Sequence, residues 1–445
     1  MWGSRRQDHS FAHGIHPPEA KDDTRDLPIK QFPFAPVMIV PLSQHMGAPA
    51  QAVVREGQEV QRGQLIAEPD GFMSVAMHAP ASGTVQRLGL APSINGKMVP
   101  AVYLKPFPGS SQEVGAGQPC DLDKASPDDI LAAIQWAGIV GLGGAAFPTH
   151  VKLKIPDDKS IDTLVINGVE CEPYLTTDHR VMMEQQADIF MGIRYLMKVT
   201  GAERTIIGVE GNKLDVAESL REHLPPGEPV DVEVVEVKYP QGAEKMLITA
   251  LLDREVPSGG LPSDVNVVVV NVATTAEIGR LLPTGRGIQE RVITIGGPGI
   301  RKKGNYRIPI GTPLRFALEY AGMEEELARV FLGGPMMGQA LPSLDIPITK
   351  GTSGFIAFST PQTAGAREFP CIHCGYCMDA CPLFLNPSQL GLLAKKGRYE
   401  DMAEQYNLMD CFECGSCSYV CPAHIPLVQR FRGAKTMLRK QKATS

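Results

Sequence analysis

No apolar run in this chain reaches the roughly eighteen residues a membrane-spanning helix needs; the longest candidate, 265–273, is a short Val-rich stretch with strand character. Any association with a membrane is therefore expected to be peripheral. An excess of positive charge is also missing. The 43 Lys and Arg stand against 49 Asp and Glu, leaving −6 over 445 residues, which argues against nucleic acid as the main partner. Ser4-Arg5-Arg6 has the look of a twin-arginine export signal, but Asp8, His9, Lys21, Asp22 and Asp23 stand where its apolar stretch must follow. A reducing compartment is the expectation, and it suits cysteines kept as thiolates for iron.

Cysteine is present in a repeated pattern. Eight of the ten cysteines form two blocks: Cys371, Cys374, Cys377 and Cys381 before Pro382, and Cys411, Cys414, Cys417 and Cys421 before Pro422. Each reads C-x-x-C-x-x-C-x-x-x-C-P, and every position recurs forty residues later. Thiolates three apart on one loop wrap three irons of a cubane, and in two-cluster ferredoxins the cysteine before Pro ligates the other cluster. The spacing assigns Cys371, Cys374, Cys377 and Cys421 to one [4Fe-4S] cluster, and Cys411, Cys414, Cys417 and Cys381 to a second. The competing readings are zinc, which usually takes two pairs of ligands, and disulfides, which need an oxidising compartment. Cys120 and Cys171 have no partner at ligand spacing and read as unligated thiols.

At 445 residues the length suggests around three domains, and the chain reads as an α/β multidomain protein. The 45 Gly and 37 Pro exceed the usual share of about twelve per cent and imply many turns. Residues 1–35 are polar and rich in His and Pro, and are expected to wrap over a neighbouring domain; His9, His13 and His16 lack a helical pattern and read as ordinary polar residues. Residues 36–105 alternate Val and Ile with polar residues between tight turns at Gly57, Gly63 and Gly83. The segment resembles the lipoyl/biotinyl carrier β-sandwich, but the hairpin-tip stretch Pro69–Val75 has no Lys to carry a prosthetic group. Over 120–285 an α/β domain is expected, with a helix capped by Ser126, Pro127 and Asp129 and strands near 162–167, 204–210, 231–238 and 265–272. Residues 290–358 resemble the soluble ligand-binding β-grasp module (SLBB-like). Residues 360–366 read as a polar linker before an α-helical ferredoxin-like module at 365–430 and a tail at 431–445.

An electron wire needs a terminal that meets a chemical donor. The best candidate is the glycine-rich run 141–152, from Gly141 through Gly143 and Gly144 to Phe147 and Lys152. Clustered glycines let backbone N–H groups converge on phosphate, a helix N-terminus adds positive potential, and Lys152 adds a full charge. The run resembles the flavin loop of the respiratory complex I subunit that oxidises NADH, G-x-G-G-x-x-F-P-T-x-x-K. Asn167-Gly168-Val169-Glu170-Cys171-Glu172-Pro173 resembles that family's N-x-D-E-x-E-P segment, with fainter matches at Gly242–Glu244 and Asn271–Thr274. The resemblance implies FMN held by Gly141, Gly143, Gly144, Lys152, Asn167, Glu170, Glu244, Asn271 and Thr274. It implies Phe147 stacked on the nicotinamide side and Glu172 against NADH, with NAD(H) as substrate. Val169, Ala243 and Val270 depart from that family's Asp, Glu and Asn, and each removes a polar contact. Flavin fits between the two halves because it exchanges electron pairs with nicotinamide and single electrons with a cluster.

The order of parts resembles the RnfC component of the bacterial Rnf electron-transport complex over about residues 11 to 430. The added signatures are Gly14–Glu19, Pro41–Ala50 and Gly333–Gly338. That resemblance implies an enzyme component, part of a translocase that exchanges electrons between NAD(H) and ferredoxin while moving Na+ or H+. It implies a peripheral position on the cytoplasmic side of the inner membrane, bound to integral membrane subunits, with ferredoxin or flavodoxin met through the complex. The related component of the sodium-pumping quinone reductase lacks the cysteine blocks. The alternatives are a flavin/iron-sulfur cobalamin reductase, which shares both motifs, and an electron-relay adaptor without nucleotide chemistry.

Overall fold

The computed structural model describes residues 9–115, 117–325, 327–359 and 367–444; the export-like Ser4–Arg6 and the linker stretch 360–366 lie outside them. The first strands build two small antiparallel sheets. One has the order Met38–Pro41, Met98–Pro106, Gly83–Pro92, Glu59–Val60, and the other Gln51–Ala52, Leu65–Glu68, Met77–His78. Alternating apolar residues such as Val54, Val60, Ile66, Met77, Val85 and Val102 fill the space between the sheets. The Pro69–Val75 tip is bound down: Gln135 Nε2 donates to the carbonyls of Gly71 and Ser74 at 3.0 Å each, and His150 Nε2 lies 2.7 Å from Phe72 O. The tip is thereby tied to the helix that precedes the glycine loop and the one that follows it.

The next unit holds a four-stranded parallel sheet in the order Val230–Val235, Arg204–Glu210, Thr163–Gly168, Val267–Asn271. Its strands Arg204–Glu210, Thr163–Gly168 and Val267–Asn271 are almost wholly buried, as a sheet covered by helices on both sides requires, while the edge strand Val230–Val235 is partly exposed. The helix Pro127–Ala137 starts where expected, with Ser126 and Asp129 forming a reciprocal capping box. Ile130 and Ile134 are fully buried on its inner face; burial of such a side chain contributes roughly 1.5–3 kcal/mol. The fourth strand is shorter than its Val run suggests. Asn271 ends it and caps the helix Val272–Leu281, its Oδ1 accepting from Thr274 N at 3.2 Å. From the strand Thr163–Gly168 the chain proceeds to two strands on one side, while Val267–Asn271 lies on the other. That makes a switch point outside the paired ends Asn167 and Asn271, where open α/β sheets bind ligands.

A six-stranded mixed sheet follows, in the order Lys30–Gln31, Gly304–Pro309, Glu290–Gly296, Gly354–Ser359, Leu327–Leu332, Gln339–Ala340, with the helix Leu314–Tyr320 packed on it. The N-terminal segment contributes the edge strand Lys30–Gln31, pairing parallel with Tyr306 and Arg307, and Phe32 enters the same core. Upstream, Ile15 and Tyr239 exchange two backbone hydrogen bonds of 2.8 Å. Residues 9–35 thus touch several units at once. His9, His13 and His16 go to different partners: Glu233, the Met378 carbonyl and the Val237 carbonyl.

The C-terminal module repeats itself in space. Gly375 and Gly415 open the short helices Tyr376–Asp379 and Ser416–Tyr419, both with left-handed φ near 90° (86° and 89°). His373 and Glu413, then Phe384 and His424, take left-handed backbone at matching positions. Between the two loops lie two helices, Pro387–Lys395 and Tyr399–Glu404, separated at left-handed Gly397. The expected boundary at 430/431 falls inside one helix, Leu427–Thr444, whose Phe431 and Ala434 are core residues; its many Arg and Lys had masked that apolar stripe.

Candidate functional site

The glycine loop rises from the end of the helix Pro127–Ala137. It is closed at its base by Gly141 N donating to Phe147 O at 2.8 Å and Ala146 N to Gly141 O at 3.1 Å. Gly143, Gly144 and Ala145 are exposed. Gly144 has φ of 106° with open space where a Cβ would stand, and a Cβ on Gly143 would meet Asn271 at 3.4 Å. The bare backbone crest thus stands directly over the switch point. From below, Leu142 N donates to Thr274 Oγ1 at 2.9 Å, and buried Arg291 donates to Leu142 O at 2.9 Å and Thr352 O at 3.0 Å. Burial pushes the Arg291 guanidinium down to about 10.

Around that crest the chain gathers most of the residues the motifs single out. Asn167 Nδ2 donates to Gly242 O at 2.8 Å and its Oδ1 accepts from Val169 N at 3.0 Å. Glu170 is buried and accepts from the backbone of Asp178 at 3.0 Å, at the positive end of the helix Thr177–Glu184. Asn271 Nδ2 donates to Asp178 Oδ2 at 2.7 Å. Lys152 pairs with Glu244 at 2.8 Å, both partly exposed at the mouth. Phe147 is half-buried. Val169 and Val270 lie in the apolar core, and Ala243 is the N-cap of the helix Glu244–Leu252 without a side-chain cap.

Glu172 stands apart from this group. Its two oxygens accept from Met336 N at 3.0 Å and Met337 N at 2.6 Å, on the turn that follows the strand Leu327–Leu332. Burial raises its carboxyl above the usual range. Beside it, buried Tyr239 donates to Cys414 O at 2.6 Å, and Cys171, whose thiol burial pushes up, shares an apolar cluster with Tyr239, Met336, Ala380 and Cys414. The Asn167–Pro173 segment therefore joins the glycine crevice to the second cysteine loop.

Asp178, Arg291 and Lys21 were missed by reading motifs. Lys21, from the N-terminal segment, is buried and donates to Glu170 O at 2.5 Å and Leu175 O at 2.8 Å. Single buried charges leave no spacing pattern, and Lys21 and Asp178 sit among other polar residues, so no local signal flags them.

One of the two expected cysteine groups gathers around a cavity. This cavity is lined by Cys371, Cys374, Cys377 and Cys421. Cys381 lies near Cys411, and Cys417 near Cys414, Cys411 and Cys381 and also near Cys377 of the first group. Among the described residues no three His, Cys, Asp or Glu close on a single ion. Four thiols around a cavity suit a cubane better than one zinc. Burial is the largest cause raising the thiols of Cys377, Cys381, Cys411, Cys414 and Cys417; iron supplies the positive charge that lets such thiols ionise. The residues present fit two clusters.

Comparison with known proteins agrees with this layout. Residues 9–106 match the RnfC barrel sandwich hybrid domain, 134–280 the Nuo51 FMN-binding domain, and 370–425 the 4Fe-4S dicluster domain. The fold resembles that of a chain in the crystal structure of an NAD+-reducing [NiFe]-hydrogenase in its air-oxidized state, at TM-score 0.51 and 20% identity, covering 70% of this chain and 66% of that one. The chain is thus an FMN-domain and dicluster protein of the oxidoreductase class. It is 42% identical over 428 residues to the C component of the proton-translocating ferredoxin:NAD(+) oxidoreductase complex of Clostridium ljungdahlii, covering 96% of this chain and 93% of that protein. The Na(+)-translocating counterpart of Acetobacterium woodii is 41% identical, with 97% and 98% covered. The C component of the ion-translocating oxidoreductase complex of Pseudomonas aeruginosa is 40% identical, with 98% and 56% covered. This chain belongs to the RnfC family, the C components of ion-translocating oxidoreductase complexes.

Proposed function

We propose that this chain is the peripheral component through which an ion-translocating complex exchanges electrons with NAD(H), on a path that ends at ferredoxin. The observation that carries the reading is the junction of half-buried Cys171 and Glu172 with buried Tyr239, which has the glycine crevice on one side and Cys414 on the other. FMN, when bound, converts between the electron pair of a nicotinamide and the single electrons of clusters. The backbone of Gly141, Gly143 and Gly144 would face its phosphate, with Lys152 released from Glu244 to supply charge. Asn167, Glu170, Asn271 and Thr274 would shape the wall, Phe147 would flank the nicotinamide, and Glu172 would reach the nucleotide only by exchanging its bonds to Met336 and Met337.

The cysteine set built on 411–417 and Cys381 would stand nearer the flavin, and the set built on 371–377 and Cys421 farther along. Residues 290–358 read as a soluble ligand-binding β-grasp module whose Met336 lies against the second cysteine loop. Among the described residues no helix is long and apolar enough to cross a membrane. In this reading the chain attaches through integral membrane partners on the cytoplasmic side. The test is anaerobic reconstitution with FMN, iron and sulfide, then addition of NADH. About eight irons per chain, one flavin and bleaching of both support the reading. The same iron content with no flavin retained and no bleaching would leave only an electron-relay adaptor.

A further inference from the structure

We propose that the crest of the first cysteine loop, Ile372 to Tyr376, is the docking face for a one-electron carrier protein that presents an apolar patch bordered by carboxylates. The two loops are near copies, so each serves as a control for the other. The second crest is covered: a Cβ on Gly415 would stand 2.8 Å from Met336 O, and Tyr239 donates to Cys414 O. Ser416 at its end is fully buried. Its cover comes from the same chain, from the six-stranded-sheet unit through Met336 and from the crevice unit through Tyr239.

The first crest has no such cover among the described residues. Open space lies where a Cβ on Gly375 would stand, and Cys374 is exposed where Cys414 is not. Its exposed side chains are Ile372 at 67%, Tyr376 at 57% and nearby Phe369 at 51%; Ile372 stands where the second loop has half-buried Phe412, and Tyr376 where it has small, buried Ser416. Exposing this much apolar surface beside a cluster ligand has a cost unless a partner covers it. The border supplies the complementary charge. Arg367 lies beside Phe369, Arg430 lines the cavity and pairs with Glu368, and Lys395 and Lys396 stand one turn beyond Leu392, which lines the same cavity. Against these four cations the border carries the carboxylates of Glu368 and Asp379, so an acidic rim on the partner is favoured and salt should weaken docking.

The proposal rests on the reading that clusters fill both cysteine sets. It is tested with holo chain added back to membranes that carry the other members of the complex but lack this one. Two variants are used, Tyr376→Glu and the double change Lys395→Glu with Lys396→Glu. Pelleting reads binding without NADH, and NADH-driven reduction of added ferredoxin reads delivery. With iron content unchanged, a fall of about tenfold or more in either readout, larger at low salt for the lysine variant, is expected. If Tyr376→Glu loses iron, the lysine variant decides, since its helix carries no ligand. Both readouts unchanged with iron intact overturns the proposal. So does a holo chain of twice the monomer mass that Tyr376→Glu returns to monomer, which assigns the crest to a second copy. Pelleting with protein-free anionic vesicles that the lysine variant abolishes also overturns it, in favour of lipid. An absence of NADH bleaching in the unsubstituted chain, with binding still lost in the variants, faults the electron path and not the face.

Discussion

Asp178 is held where a carboxylate is hardest to ionise. Its carboxyl accepts from Asn271 Nδ2 and lies beside Glu170, and burial, followed by the Glu170 charge, raises its pKa well above the usual carboxylate range. In the unfolded chain the group titrates near pH 3.9. From there upward the folded chain holds the extra proton, so stability falls as pH rises toward the raised value. Asp178→Asn keeps an acceptor for Asn271 and removes the charge. The variant is therefore expected to gain on the unsubstituted chain as pH rises above about 4, by at most about 1.4 kcal/mol per pH unit. Chemical denaturation at pH 5 and pH 8 checks this; a difference that does not change with pH would contradict it. At this scale motif reading reached the polar residues with a fixed spacing, such as Asn167 and Glu170. It could not reach Asp178, Arg291 or Lys21, whose side chains bond to segments more than sixty residues away in sequence.

Elements divide the same way. Strands with long β-branched runs and the helix with its Ser126 cap were legible because period and capping are local. Asn271 ending the strand at Val267–Asn271 was less so, since Val272 continues the β-branched run and only the side-chain cap marks the turn. The edge strand Lys30–Gln31 has no pattern of its own and exists through its pairing with Tyr306 and Arg307. The cysteine loops are the strongest case, because ligand geometry dictates both spacing and left-handed glycine. Their crossing has a consequence at this scale. Cys381→Ser should remove the cluster held by Cys411, Cys414 and Cys417, dropping iron from about eight to about four per chain while the signal of the Cys371 set persists. Loss of the Cys371 set alone would contradict the pairing seen around the cavity.

For the molecule as a whole, placement turns a list of parts into a path. The carrier-like sandwich has no Lys to swing, and its tip is tied at Phe72 to the helix after the glycine loop. The N-terminal segment bridges the cysteine module, through His13 and Met378, and the crevice unit, through Ile15 and Tyr239. These ties leave one cysteine set against the crevice and turn the other outward. Such an order was invisible in two identical motifs, because it depends on which loop meets Tyr239 and Met336. The most direct measurement is anaerobic mixing of NADH with the holo chain and with a Cys417→Ser chain that lacks the inner cluster. In the unsubstituted chain the flavin and both clusters should be reduced. In Cys417→Ser the flavin band should still bleach while the Cys371 set stays oxidised; reduction of that set at the unsubstituted rate would contradict the path.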